Sequence, residues 1–339
     1  VRVAFLTFGD ERTPSSRYRV FQYLEGLRAA GWESEIISPR KGESASRTSL
    51  RAIKGARKAD LLFIQKRLFP GVCLRLLSAA AKRRLIYDFD DALFVPPSKK
   101  RSEASHRRTL GRLHRSFQVA QVVIAGNAFL AQYASKFNPW VEILPTPIDL
   151  AAHPRRPAHF QRSPQIIGWV GTSSNHRYLR LACEAICRVN EKRPVVLRVV
   201  SDRPFENALV EVENVGWEPE REALLLHEFD VGIMPLADDT WSRGKCAFKL
   251  LQYMAVGVPV VCSPVGANQE VMKDGTQGFF ASSPEEWMER LCALLGDAQL
   301  RERMGSAGRE RVAQRFSSQA LLPHFLLILK QVAEAPDVS

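Results

Sequence analysis

FDVGIMPLADDTWSRGKCAFKLLQYMAVGVPVVCSPVGANQE, residues 229–270, is the stretch from which the rest of the chain can be read. Residues 229–234, apolar apart from Asp230 and ending at Pro235, have the pattern of a buried strand. A polar loop with Asp238, Asp239, Arg243, Gly244 and Lys245 follows. The spacing then predicts a helix from about Cys246 to Val256, stopped at Gly257, and a second apolar strand over 259–262. On such a helix Lys245 and Lys249 are four apart and share a face at its N-terminal end. Unpaired N–H groups and the helix dipole already attract anions there. With Arg243, Lys245 and Lys249 added, the segment is a candidate site for a diphosphate.

The same alternation continues outward in both directions. Strand patterns at 2–7, 34–37, 61–65, 84–88, 121–125 and 141–144 are separated by helical patterns at 16–30, 71–81, 109–117 and 129–137. A stretch from Pro147 to Pro164 with Pro154 and Pro157 lacks periodicity and reads as a linker. A second series has strands at 166–170, 195–200, 229–234, 258–262 and 278–281, and ends in helices at 284–295, 298–315 and 318–332. Short strands alternating with helices give an α/β protein with parallel, doubly wound sheets. At 339 residues, two domains are expected.

KLLQYMAVGVPVV at 249–261 resembles the donor-binding helix and strand of family-4-like glycosyltransferases of the GT-B fold, which commonly read K-x-x-E-Y-M-A-x-G-x-P-V-V. SSRYRVFQYLEGLRAAG at 15–31, LIYDFDDALF at 85–94, LPTPIDL at 144–150 and IGWVGTSSNHRYL at 167–179 look like further segments of that family, in its order. The resemblance implies two Rossmann-like domains facing an interdomain cleft: an acceptor-side domain over 1–150, a linker over 151–164, and a nucleotide-sugar domain over 165–316. It also implies a last helix, within 317–339, that crosses back to the first domain. The activity implied is transfer of a sugar from a nucleotide-diphosphate donor to a glycan, lipid-linked or small-molecule acceptor, as in polysaccharide biosynthesis. Such enzymes are usually retaining, need no metal, and take the nucleotide sugar as co-substrate with no further cofactor. Two rivals stay open: a nucleotide-sugar epimerase of similar fold, and a nucleotide-sugar-binding protein without turnover.

Sugar transfer requires both substrates to be held in line and the departing diphosphate to be neutralised. That work is expected of Arg243, Lys245 and Lys249, with backbone N–H groups of Val265, Gly266, Ala267 and Asn268. Gln252 stands where the family usually has the second of two glutamates and could hydrogen-bond a ribose hydroxyl. Eight positions earlier, in place of the first, is Gly244, so Asp238 or Asp239 would have to make the sugar contact. Gly171 fits a tight turn with close backbone approach. Thr172 follows it where relatives often carry Arg, and Tyr178 stands where they carry Lys. Ser201 and Trp217, after two further strands, are placed near a nucleobase, although a core role for Trp217 is the more ordinary one.

Asp88, Asp90 and Asp91 end a strand, and strand ends face ligand crevices in doubly wound sheets. They are taken as cleft-facing residues with a possible catalytic part. Ion pairs with Arg17 or Arg19 and a metal site are the alternatives, and no metal is expected. Arg17 and Arg19 themselves would contact donor phosphate, an anionic acceptor, or the Asp88–Asp91 loop.

Apolar residues make up 45% of the chain and charged ones 25%, ordinary values for a globular protein. Residues 1–150 hold 26 Lys and Arg against 13 Asp and Glu, a net of +13; the remainder has a net of −1, which makes the whole +12. The basic clusters fall at 51–58, 82–84, 99–101 and 107–115. A solvated face and an anionic membrane surface are the competing explanations, and nucleic acid ranks last because no recognition motif accompanies the charge. No apolar run reaches the roughly 18–20 residues of a membrane span, and no signal-peptide pattern opens the chain. A cytoplasmic protein is expected, with peripheral contact to the inner membrane face as the further option. The six cysteines lack paired zinc spacing and are expected as reduced thiols. His106 and His114 are expected at the surface.

Overall fold

The computed structural model describes residues 1–96, 102–157 and 162–335 and divides into two compact units. The first comprises Val1–Pro147, Gly244–Cys246 and the chain from Ser318 onward; the second comprises Ile148–Arg243 and Ala247–Ser317. Each contains one six-stranded sheet in which every pairing is parallel.

The first unit runs β1 (Arg2–Leu6), α1 (Pro14–Arg19), α2 (Leu24–Ala29), β2 (Glu33–Ile37), α3 (Ala45–Ala56), β3 (Leu61–Gln65), α4 (Gly71–Ala80), β4 (Leu85–Phe89), α5 (Glu103–Val119), β5 (Val122–Ala125), α6 (Ala128–Ala134) and β6 (Val141–Ile143). Its strand order is β2-β1-β3-β4-β5-β6, so the order reverses between β1 and β3. The β3, β4 and β5 strands are buried throughout, as the largely apolar central strands of a parallel sheet should be, and they bury the polar Gln65 and Asp88 with them.

The helix expected over 16–30 is broken. Val20 leaves helical geometry at φ −131°, and a 3-10 turn over Phe21–Tyr23 joins α1 to α2. The break adjoins Arg19, whose side chain is buried. Where sequence gave only a basic cluster at 51–58, there is a full helix, α3, capped by Ser44. Likewise α5 begins six residues before the expected 109, at Glu103, because Ser102 caps it. The cluster at 99–101, linker residues 158–161 and the last four residues lie outside the described residues.

The second unit runs β7 (Gln165–Val170), α7 (His176–Asn190), β8 (Val195–Ser201), β9 (Val212–Gly216), α8 (Glu222–His227), β10 (Val231–Met234), α9 (Thr240–Arg243), α10 (Phe248–Ala255), β11 (Val260–Cys262), α11 (Asn268–Val271), β12 (Gly278–Phe280), α12 (Pro284–Gly296) and α13 (Ala298–Arg315). Its order is β12-β11-β10-β7-β8-β9, with the reversal between β7 and β10. Crevices outside the carboxyl ends of strands at such reversals are where doubly wound sheets bind ligands. Buried Tyr253 on α10 fixes that helix to the sheet: its hydroxyl accepts from the Val170 N–H at 3.0 Å. Its ring fits because Gly232 has no side chain; a Cβ there would fall 2.6 Å from the ring.

The last helix, α14 (Ser318–Glu334), is part of the first unit. It buries Phe325 with ring centroids 4.7 Å from Tyr23 and 5.7 Å from Phe63. Among the described residues no helix is long and apolar enough to cross a membrane.

Candidate functional site

In the second unit, β7 ends at Val170 and the chain turns at Gly171. A Cβ on Gly171 would fall 2.8 Å from the Lys249 Nζ and 2.8 Å from the Trp169 ring, so only glycine leaves room for the lysine. The Lys249 ammonium lies 5.1 Å from the centroid of the buried Trp169 ring, a cation–π contact. The Lys249 side chain, reaching from α10, therefore lies at the carboxyl edge of the sheet, beside the end of β7, which borders the reversal. Residues 172–175 form a turn pinned by Asp202, which accepts from the Ser173 N–H at 2.6 Å and the Ser173 hydroxyl at 3.0 Å. The backbone N–H of Ser173 is the main reason the Asp202 carboxyl is held below the usual carboxylate range. Thr172 Oγ1 contacts Ser174 Oγ at 2.8 Å, and the buried Ser201 Oγ contacts His176 Nε2 at 3.1 Å.

Lys245 and Lys249 do not share a helix face. Ala247 sits in the left-handed region at φ 52°, and α10 begins only at Phe248. A non-glycine residue there is an uncommon, strained conformation. Lys245 belongs to the first unit, where its carbonyl accepts from Asn127 Nδ2 at 3.0 Å. Neighbouring Cys246 donates its thiol to the Asp90 carbonyl at 3.2 Å. Gly244 is also in this unit, and a Cβ on it would fall 2.5 Å from the Ala92 Cβ. No side chain fits there, so the position is closed to a glutamate.

The loop after β11 supplies fewer donors than expected. The Val265 N–H is used by Ser263 O at 2.8 Å and the Asn268 N–H by Val265 O at 3.2 Å. Buried Asn268 also spends its side chain locally, donating to Ser263 O at 2.9 Å. Among the described residues, only the N–H groups of Gly266 and Ala267 lack an acceptor in this run. Gly266 has φ 54°, and a Cβ on it would come within 2.8 Å of Arg243 O. Arg243 itself is exposed and pairs with Asp238 at 2.6 and 2.9 Å. Asp239 accepts from the Ser242 N–H at 2.7 Å and from Tyr178 Oη at 3.1 Å. Both carboxylates considered as stand-ins for the missing glutamate thus already have protein partners. Gln252 is buried on α10, and half-buried Trp217 packs at the edge of the core with its Nε1 donating to Glu222 at 2.5 Å.

In the first unit the aspartates of the 85–94 segment separate into different roles. Asp88 is fully buried and forms a two-point ion pair with Arg19, which also donates to Leu144 O at 2.6 Å. Burial alone would lower the Arg19 pKa, but Asp88 more than offsets this and raises it; burial raises the Asp88 carboxyl against the same attraction. Asp88 and Arg19 are therefore not ligand-facing: they are each other's partners. Arg17 instead lies half-exposed with its guanidinium 4.5 Å from the Tyr18 ring centroid.

Lys66 was not anticipated. It follows β3 in the left-handed region at φ 58°, and its ammonium is enclosed between Asp90, at 2.8 Å, and Asp91. Burial would raise the Asp90 carboxyl, but Lys66 and Arg19 outweigh it and hold it below the usual range. Asp91 keeps 33% of its side chain exposed, the most open of the three carboxylates. The signal for Lys66 was available: like Asp88, it stands where an apolar strand stops. His114 also departs from expectation. It stacks on Phe137 at 4.0 Å and contacts Tyr133 Oη at 2.9 Å, and burial lowers its pKa. All six cysteines are free, with Cys183 and Cys262 buried.

Comparison with known proteins bears on the fold. The whole chain superposes on sucrose-phosphate synthase from Thermosynechococcus elongatus with a TM-score of 0.71, at 15% identity over 98% of both chains. It superposes on a glycosyltransferase from Rickettsia africae with a TM-score of 0.73, at 12% identity over 99% of both. Anabaena HepE, solved with UDP and glucose, gives 0.67 at 15% identity, over 97% of this chain and 99% of that one. The fold is therefore GT-B, an α/β fold of two Rossmann-like sheets. Residues 164–297 match the family described as Glycosyl transferases group 1. Spore coat protein SA of Bacillus subtilis is 30% identical over 81 residues, which span 23% of this chain and 22% of that protein.

Proposed function

We propose that the protein is a glycosyltransferase whose second unit binds a nucleotide-diphosphate sugar. The observation that carries this is the Lys249 ammonium resting at a side-chain-free Gly171 at the carboxyl edge of β7, within the glycosyl transferases group 1 domain. The diphosphate is assigned to Lys249 and to the Gly266 and Ala267 N–H groups, with Arg243 reaching it once exchanged from Asp238. Thr172 and Ser201 are assigned to the donor, Gln252 and Trp217 to shaping its site from behind. HepE was solved with UDP and glucose, which supports a uridine nucleotide as the first donor to try.

In the proposed reaction the bond from the anomeric carbon to the β-phosphate oxygen breaks as the acceptor oxygen bonds to the same face of that carbon. The acceptor's hydroxyl proton passes to the leaving phosphate, so no carboxylate nucleophile is required and configuration is retained. Lys245, Asp90 and Asp91 are assigned to the acceptor side together with Arg17 on α1, Asp91 being the most open carboxylate. Asp88 and Arg19 hold that loop in place. Both Asp90 and Asp91 are already paired with Lys66, so neither is assigned to a metal. The acceptor is a glycan, a lipid-linked sugar or a small molecule, and no resident cofactor is invoked.

The test is UDP release from UDP-sugars, with GDP-, ADP- and TDP-sugars as controls, with and without candidate acceptors. Acceptor-dependent release with a retained anomeric product supports the proposal; donor conversion without any acceptor would instead identify an epimerase. The neutral Gln252 and the engaged Asp238 and Asp239 favour one second reading, a protein that binds the donor without turning it over. Donor binding with no release under any acceptor would establish that reading.

A further inference from the structure

The first unit has an outward face that the donor chemistry does not use. Helices α3, α4 and α5 pack side by side, α4 in the middle. On α4 the exposed residues Val72, Arg75, Leu76 and Ala79 fall at helical spacing on one stripe, with Val72 65% and Leu76 54% exposed. On α3, Leu50 is 54% exposed and Lys54, one turn on, is exposed beside it. Between α4 and α5 runs a groove of about 470 Å³ lined by Val72, Leu74 and Val119 together with Arg75 and Arg115. Glu103 is the sole acidic residue in the sequences of the three helices. Among the described residues Lys54, Arg75 and Arg115 have no acidic partner.

We propose that this α3–α4–α5 face docks on an anionic lipid bilayer, with Leu50, Val72 and Leu76 entering the headgroup boundary and Lys54, Arg75 and Arg115 pairing with lipid phosphates. Aliphatic side chains set singly among arginines and lysines match that boundary, because the basic side chains can lay their stems along apolar surface and keep their charge at the phosphates. A nucleic-acid surface offers nothing to exposed leucine and valine, and these helices place no exposed aromatic ring among the cations on which a base could stack. The inference deepens the proposed function by naming an anionic bilayer as the place where the acceptor is met, and for the acceptor it rests on that reading.

The test is co-sedimentation with vesicles of equal phosphatidylglycerol and phosphatidylcholine, against pure phosphatidylcholine, at low and high salt. The wild type is expected to sediment with the anionic vesicles only, and less at high salt. Arg75→Glu with Arg115→Glu should lower the partition by at least about tenfold, and Val72→Ser with Leu76→Ser by at least about threefold. All these positions are exposed, and unchanged melting temperatures confirm that the variants fold. Equal binding to neutral vesicles, or wild-type binding by both double variants, would overturn the inference. So would retention on duplex DNA that ignores the Val72 and Leu76 changes, which would mark the face as a general polyanion surface. A donor-induced thermal shift, measured on the same variants, separates the two ideas. If it persists while vesicle binding is absent, the docking face fails and the donor assignment stands.

Discussion

At the carboxyl edge of the first unit's sheet, Arg19 and Lys66 end on Asp88, Asp90 and Asp91 and are almost wholly enclosed. At the same edge of the second unit's sheet, Lys249 lies half-buried over Trp169 beside a glycine that keeps space open for it. The two sheets share an architecture and both place cations where ligands bind in doubly wound folds. What differs is the partner. In the first unit the chain supplies the carboxylates itself, so those cations order a loop. In the second, Lys249 rests against the Trp169 ring beside a glycine that presents no side chain, an arrangement that suits an incoming anion. Residue type at a strand end is thus a weak guide to function until the identity of its neighbours is known.

The comparison is broken most severely by removing one member of a buried pair. Arg19→Met leaves Asp88 enclosed without its cation and should cost about 3–5 kcal/mol of stability. Chemical denaturation would measure it, and the donor-induced thermal shift should survive. Adding Asp88→Leu should recover most of the loss, since an apolar pair replaces the ionic one. Lys249→Met reverses the pattern. It should lower kcat/KM by about a hundredfold to a thousandfold, about 2.7–4 kcal/mol, through lost stabilisation of the departing diphosphate. Its denaturation midpoint should stay near that of the wild type.

Gly171→Ala sharpens the second region further. The new Cβ would press on Lys249 and Trp169, and donor affinity should fall by about tenfold as the lysine is displaced, read by titration calorimetry. The smallest effect belongs to Asp238→Asn, which releases exposed Arg243. Donor affinity should change by less than about threefold, because surface pairs contribute little. The same pair has a pH signature. Arg243 holds the Asp238 carboxyl below its ordinary range. Its contribution is therefore present above the unfolded carboxylate pKa of about 4 and is lost as pH falls through the lower folded value. A pH titration of Asp238 by NMR, with and without Arg243→Gln, checks the direction.

The alternation of strands and helices made the α/β architecture legible in the sequence. Largely apolar runs such as 61–65 and 229–234 signal buried parallel strands. The segments at 144–150, 167–179 and 249–261 carried the GT-B resemblance. Less legible was anything decided by one residue's backbone. Ala247 in the left-handed region starts α10 two residues later than periodicity suggested and detaches Lys245 from Lys249. Val20 breaks the 16–30 helix without a proline or glycine to announce it. Pairings across long sequence separations were also hidden: Lys66 with Asp90 and Asp91, and Asn127 with Lys245. The Asp88–Arg19 pair stood only as an alternative, because one sequence does not tell a carboxylate that meets a ligand from one that meets its own chain.

The most direct test of the central claim is a thermal-shift titration of UDP-glucose on the wild type, Lys249→Met and Arg19→Met. Ligand at about 100 times its dissociation constant adds about 2.7 kcal/mol to native stability, a readily measured shift. The account predicts a shift in the wild type and in Arg19→Met, from its lower starting temperature, and its loss in Lys249→Met. An undiminished shift in Lys249→Met would contradict the assignment of the donor phosphates to that lysine.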